Sequence, residues 1–355
     1  MKLGFNFYRH MLTPENFRFA RQCGATHAVI HLVDYFKKKD NNTIINDQPV
    51  DNGDGWGVAD REEDFLWTLE YMLQLKKELN EYGLEWYAIE NFNPAHWYDI
   101  LLDGPKKKEQ IEFLKQIIRN MGKAGIPCMG YNFSIAGVTG RVKQSFARGG
   151  AESVGMRVTN NNPLPEGLVW NMQLDSVNYN VKSGQIQHDE LWNRLHWFLS
   201  ELLPVAEEAG VILAAHPDDP PVPFLRQTPR LVYQPQLYDK LINTVPSPAN
   251  QLEFCLGSLA EMTDGDIYDV TEKYSQQQKI GYIHFRNIKG KAPNYREVFI
   301  DEGDIDMIKI LRILKKNNYQ GVLVPDHTPQ MSCDAPWHAG MAYAMGYMKA
   351  AIGMI

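Results

Sequence analysis

Short apolar runs alternate with stretches of helical periodicity along almost the whole chain, the pattern of a parallel sheet covered by helices. Lys2–Phe7 reads as the first strand. Thr13 followed by Pro14 forms a helix start, and the helix over 17–22 stops at Gly24. Further strands are expected at 27–32, 84–91, 128–134, 212–216, 252–258, 280–287 and 321–327, with helices at about 61–82, 106–123, 189–210, 267–279, 306–318 and 337–354. There is no internal repeat and no linker. The expected fold is α/β, a (β/α)8 TIM barrel filling residues 1–355 as one domain.

Two stretches break the alternation. Residues 33–58 lose periodicity and fill with Lys, Asn, Asp and Gly, as expected of an excursion over the barrel mouth, with Trp56 either a lid contact or a packing residue. Residues 135–187 form the longest irregular connection and carry Arg141, Arg148, the Gly149-Gly150 pair and a polar run at 160–162. Arginines beside glycines after a barrel strand suit a flap over an acidic substrate; a solvated loop or a subunit contact, and hence a homo-oligomer, is the other reading.

The chemistry concentrates at strand ends. Ile212-Leu-Ala-Ala runs straight into His216-Pro-Asp-Asp-Pro-Pro221, and three later strands end on Cys255, His284 and Asp326. Two imidazoles, a thiol and a carboxylate suit a borderline divalent ion. These side chains are far apart in sequence and meet only if successive strand ends share one face, which a closed parallel barrel provides. Each alone is more often a satisfied core residue; four in successive strands point to a metal. Around them the sequence supplies Asp218 and Asp219, Arg286 and Asn287, and His327, whose ordinary pKa near neutrality suits proton transfer.

Composition narrows the partners. The formal net charge of −7 and pI near 5.8 argue against a nucleic-acid surface. No apolar stretch reaches membrane-spanning length, and the amino terminus lacks the apolar core of a signal peptide. The cysteines at 23, 128, 255 and 333 form no Cys-x-x-Cys pair, so a reducing cytoplasm is the default, in which Cys255 stays free to bind metal.

The strings Gly83-Leu-Glu-Trp, Tyr131-Asn-Phe, His216-Pro-Asp-Asp-Pro-Pro, Phe254-Cys-x-Gly-Ser, Ile283-His-Phe-Arg-Asn and Asp326-His-x-x-Gln-Met together resemble the D-mannonate dehydratase family, from the first strand to the last helix. The resemblance implies a barrel of the xylose-isomerase-like type and a manganese or iron(II) ion held by His216, Cys255, His284 and Asp326. It implies dehydration of a sugar acid, D-mannonate, to 2-keto-3-deoxy-D-gluconate. His327 is then expected in proton transfer, Arg286 and Arg141 on the carboxylate, and Asn132, Asp218 and Asn287 around the substrate. Other members of such barrels, an isomerase, epimerase or different dehydratase, and a non-catalytic sugar-binding relative are the competing readings. The chain also departs from the family pattern. The family's D-H-G-H-Q-M becomes Asp326-His-Thr-Pro-Gln-Met331, which removes a histidine at Pro329. Y-N-F-M-P-V with a following W-T-R becomes Tyr131-Asn-Phe-Ser-Ile-Ala-Gly-Val-Thr-Gly-Arg141, and the tyrosine before the last helix has no counterpart, with Trp337, His338 and Tyr343 standing nearby.

Overall fold

The computed structural model describes residues 1–37, 55–159, 161–174 and 186–355. Most of the expected excursion at 33–58, and parts of the connection at 135–187 including Asn160, lie outside the described residues. The barrel strands are β1 (Lys2–Phe7), β2 (His27–Ile30), β3 (Glu85–Glu90), β4 (Cys128–Tyr131), β5 (Ile212–Ala215), β6 (Asn250–Cys255), β7 (Ile280–His284) and β8 (Val322–Val324). They pair in chain order, all parallel, and β1 pairs with β8 to close the ring. Helices α1 (Pro14–Gln22), α2 (Leu69–Glu81), α3 (Lys107–Ala124), α4 (His188–Ala209), α5 (Leu237–Thr244), α6 (Ile267–Gln276), α7 (Met307–Lys316) and α8 (Pro336–Met354) each follow one strand. Local chemistry sets their ends. Thr13 accepts from the Asn16 N–H at the start of α1, and α3 and α4 stop where Gly125 and Gly210 take the left-handed conformation.

Several expectations change, and the strands expected to reach 134, 287 and 327 end at Tyr131, His284 and Val324. The helix expected from residue 61 begins at Leu69, because Thr68 caps it and 64–67 coil into a tighter turn. Strand six ends at Cys255 rather than 258, since the Cys255 sulfur accepts from the Ser258 N–H and the chain turns into a short helix, Leu256–Glu261. Helix α5 was not anticipated, although Tyr238, Leu241 and Ile242 bury a face at helical spacing.

The described parts of the connection at 135–187 are more ordered than their sequence suggests. Its strands Val142–Gln144 and Ser153–Met156 pair with a hairpin after β7, Asn287–Lys291 and Asn294–Val298, giving a four-stranded sheet beside the barrel mouth. Two loops distant in sequence are thereby locked together, and the lock carries Arg141 and Glu297 to one place.

Candidate metal centre

The ends of β5, β6 and β7 bring together ligand atoms of His216, Cys255 and His284, all within 4.8 Å of one another. Cys255 and His284 pair across β6 and β7, so strand register alone sets their approach. His216 follows the last residue of β5, and its Nδ1 lies 2.6 Å from the Pro217 carbonyl. A proton on Nδ1 makes that hydrogen bond and leaves Nε2 with its lone pair for a metal.

Charge favours a cation here. Burial would push the Cys255 thiol up, but Arg286, His216 and His284 outweigh it and hold the thiol well below its ordinary value. The surroundings therefore favour the thiolate, the form in which sulfur binds a metal. Burial likewise opposes protonation of His216, yet Glu253 and the Cys255 sulfur raise it to about 9. A soft sulfur, two imidazoles and nearby carboxylates form a donor set that fits a divalent first-row metal.

Asp326 stands at the rim of this group. Its backbone is left-handed (φ 65°), and its Oδ2 lies 3.6 Å from His284 Nδ1, 3.2 Å from Arg286 Nε and 3.3 Å from His327 Nε2. It shares the site with the three inner residues but is not drawn into their tight group.

Above the cluster opens a cleft with about 550 Å³ of empty space, open solvent included. Asn132, Arg141, His216, His284, Asp326 and His327 line it, as the sequence led one to expect. Asn132 gives its amide N–H to the His216 and Pro217 carbonyls, and its Oδ1 has no hydrogen-bond partner among the described residues. His327 stands between Glu297, 2.6 Å from its Nδ1, and Asp326. Arg141 is buried against Glu297 at 3.2 Å and Asp219 at 3.7 Å.

Four expected residues sit elsewhere. Arg286 is beneath the cleft with its donors taken: it bonds Asp219 at 3.0 Å, Cys255 Sγ at 3.3 Å, Ser258 Oγ at 3.2 Å, Glu261 at 3.3 Å and Glu297. It positions the thiolate and its carboxylates and has no free edge for a substrate. Asp218 is used structurally, accepting from the Leu231 and Val232 N–H groups at 2.7 Å and pairing with Arg230 Nε at 2.9 Å. Its neighbour Asp219 is the one that faces the cleft. Asn287 spends its amide on the Ile300 and Ile305 carbonyls and its oxygen on backbone N–H groups, closing a loop away from the cleft. Arg148 lies outside, half exposed, on Asp301 at 3.0 Å and over the Phe299 ring.

Sequence reasoning missed much of the remaining wall. Tyr8, His31, Tyr35 and Trp170 line the cleft from the β1 and β2 side, with Trp56 edge-on to both Tyr35 and Trp170. Glu253 and Glu297 were also passed over. A glutamate inside an otherwise apolar barrel strand was the available signal for Glu253, because an isolated buried carboxylate is costly. No comparable signal marked Glu297, which depends on the pairing of distant loops.

Compared with known proteins, residues 32–352 match the family described as D-mannonate dehydratase (UxuA). Mannonate dehydratase of Streptococcus pneumoniae (strain 70585) is 32% identical over 82% of this chain and 83% of its own length. That of Geobacillus thermodenitrificans is 32% identical over 74% of this chain and 76% of its own. The crystal structure of mannonate dehydratase from Streptococcus suis serotype 2 superposes with a TM-score of 0.77 at 26% identity, covering 100% of this chain and 93% of that one. A xylose isomerase domain protein from Planctomyces limnophilus shares the fold, with a TM-score of 0.57 at 12% identity over 100% of this chain and 98% of that one.

Proposed function

We propose, given that this chain belongs to the D-mannonate dehydratase family, that it removes water from D-mannonate to give 2-keto-3-deoxy-D-gluconate. The observation that carries the reading is the tight His216, Cys255 and His284 group beneath a cleft lined by His327 and Arg141. These three side chains, with Asp326 as the rim carboxylate, would hold a manganese or iron(II) ion. Bound there, the ion would act as a Lewis acid towards the oxygens of the sugar acid and so ease loss of the C2 proton.

The residues supply the rest. Arg141, a buried cation at the cleft wall, would orient the substrate carboxylate, and Asn132 Oδ1 would accept from a sugar hydroxyl. The C2–H bond breaks to a base and the C3–O bond breaks with a proton delivered to the leaving hydroxyl, so that one water is released. The enol left behind takes a proton at C3 as it becomes the 2-keto acid. His327 serves one of the two proton transfers, with Glu297 and Asp326 fixing its ring. Arg286 acts as a positioning residue for the thiolate, in place of a direct hold on the substrate.

The changes at Pro329 and along 134–141 fall on the substrate side, so the choice of acid is where another sugar-acid dehydratase remains the second reading. Incubating the manganese-loaded protein with a panel of aldonic acids, and measuring keto-acid formation, tests both. Turnover of mannonate above the other acids is expected; preferential turnover of another acid, or none at all with metal bound, overturns the assignment.

A further inference from the structure

The dehydration needs two proton transfers, and His327 accounts for one. Its Nδ1 lies 2.6 Å from Glu297, so a proton held there leaves Nε2 with a lone pair, the form of a base. A donor for the leaving hydroxyl has still to come from the cleft wall, and most of that wall is engaged. His31 uses Nδ1 on the Tyr35 hydroxyl at 3.0 Å and Nε2 towards Glu90 at 3.6 Å, while the same Tyr35 hydroxyl accepts from the Asn91 amide at 3.0 Å. Asp219 is paired with Arg286 at 3.0 Å and bonded by Tyr295 at 3.2 Å, and Glu90 is shared by His31 and His284. Glu253, two residues before Cys255 on β6, lies about 7 Å deeper than the strand end, against His284.

Tyr8 is different. It follows the last residue of β1, the strand paired with the β8 that leads to His327, and it lines the same cleft. Its ring is fixed from three sides, stacked on His31 at 4.9 Å and edge-on to Tyr35 and Phe36, each at 6.1 Å. No described residue makes a hydrogen bond to its hydroxyl. Burial, with the charges of Asp326, Glu90 and Glu297, raises the phenol well above its ordinary value against the pull of Arg141, so it keeps its proton at neutral pH.

We propose that Tyr8 is a catalytic residue, the general acid that protonates the leaving C3 hydroxyl while His327 takes the C2 proton. The inference rests on the reading of the cleft as the site of a sugar-acid dehydration. The electrons of the C2–H bond form the C2–C3 double bond, those of the C3–O bond leave with the oxygen, and the phenol proton completes the water. One proton then passes from the His327 imidazolium to the Tyr8 phenolate through solvent, which restores both groups.

D-Mannonate and 3-deoxy-3-fluoro-D-mannonate, given to the manganese-loaded protein, test it, because fluoride leaves without a proton and yields the same keto acid. Tyr8→Phe keeps the ring contacts and removes a hydroxyl that no described residue uses, so it should melt with wild type and keep the charge-transfer band of cobalt(II) on Cys255. Its kcat should fall by about 10²- to 10⁴-fold on mannonate and by less than about tenfold on the fluoro acid, whereas His327→Asn should lose equally on both. A loss below about tenfold on mannonate, or equal losses of Tyr8→Phe on both substrates, overturns the role of Tyr8. Should the variant melt lower, 3,5-difluorotyrosine in place of Tyr8 gives the reading: a more acidic phenol should change kcat on mannonate alone, and no change overturns the proposal. Wild type that turns over no aldonic acid sinks the dehydratase reading, and this inference with it. Where wild type prefers another acid, the 3-fluoro analogue of that acid serves, and only the choice of substrate falls.

Discussion

His31 and His284 are both buried and meet at Glu90, with Nε2 atoms 3.6 and 3.2 Å from the same carboxylate oxygen. Burial works against the charged form of each. At His31 burial wins and the ring is driven below its ordinary value, whereas at His284 the combined pull of Asp326, Glu90 and Glu253 raises it well above. At His31 the pull of Glu90 and Asp326 is opposed by His284 and His327 and does not offset desolvation; at His284 three carboxylates do. The two halves of the barrel mouth differ in the same way. The side of β5 to β8 is an ionic floor of carboxylates, thiolate and arginine, fit to hold a cation. The side of β1 and β2 is an aromatic wall, where Tyr8 stacks on His31 at 4.9 Å and Tyr35 bonds His31 Nδ1 at 3.0 Å.

The sharpest break in this contrast comes from the floor. Cys255→Ser or His284→Ala should release the metal and cost about a thousandfold or more in kcat, since a Lewis acid supplies several kcal/mol at the transition state. The barrel should persist, and full metal content by elemental analysis in both variants would refute the centre.

Next in size is His327→Asn, expected to lower kcat by about 10²- to 10⁴-fold while metal content stays at the wild-type level. An active variant would remove His327 from proton transfer.

The two arginines of one connection separate cleft from surface. Arg141→Ala should lower kcat/KM by about a hundredfold, the worth of a buried charged hydrogen bond, while Arg148→Ala should stay within about twofold because its partner Asp301 is at the surface. Equal losses in steady-state kinetics would mean that Arg148 reaches the substrate.

The smallest effect extends the His31 case to the helix layer. His96 is buried with Asp64 alone, 2.7 Å from its Nε2, and burial drives it below its ordinary value. It is neutral in the fold while the unfolded chain takes up a proton below about pH 6.5, so stability falls as the pH drops through that value, by at most about 1.4 kcal/mol per pH unit. Thermal melts between pH 8 and 5 should therefore slope less in His96→Gln than in wild type.

The order of strands and helices, and the four strand-end residues His216, Cys255, His284 and Asp326, could be read from the chain because each signal is local. An apolar run has a period, a proline or glycine ends it, and a polar residue at its end stands out. Even Glu253 was visible in principle as an acid within an apolar strand. Tertiary structure decided which polar residues face the cleft. Asp218 and Asp219 are adjacent and chemically alike, yet one is consumed by Arg230 and backbone N–H groups and the other turns inward. Arg286 and Arg141 likewise share a side chain, but the first is saturated beneath the cleft and the second lines it. Such choices depend on which backbone amides and carboxylates reach a given donor first. That is settled by the pairing of loops more than a hundred residues apart, as between Arg141 and Glu297, and no local pattern encodes it.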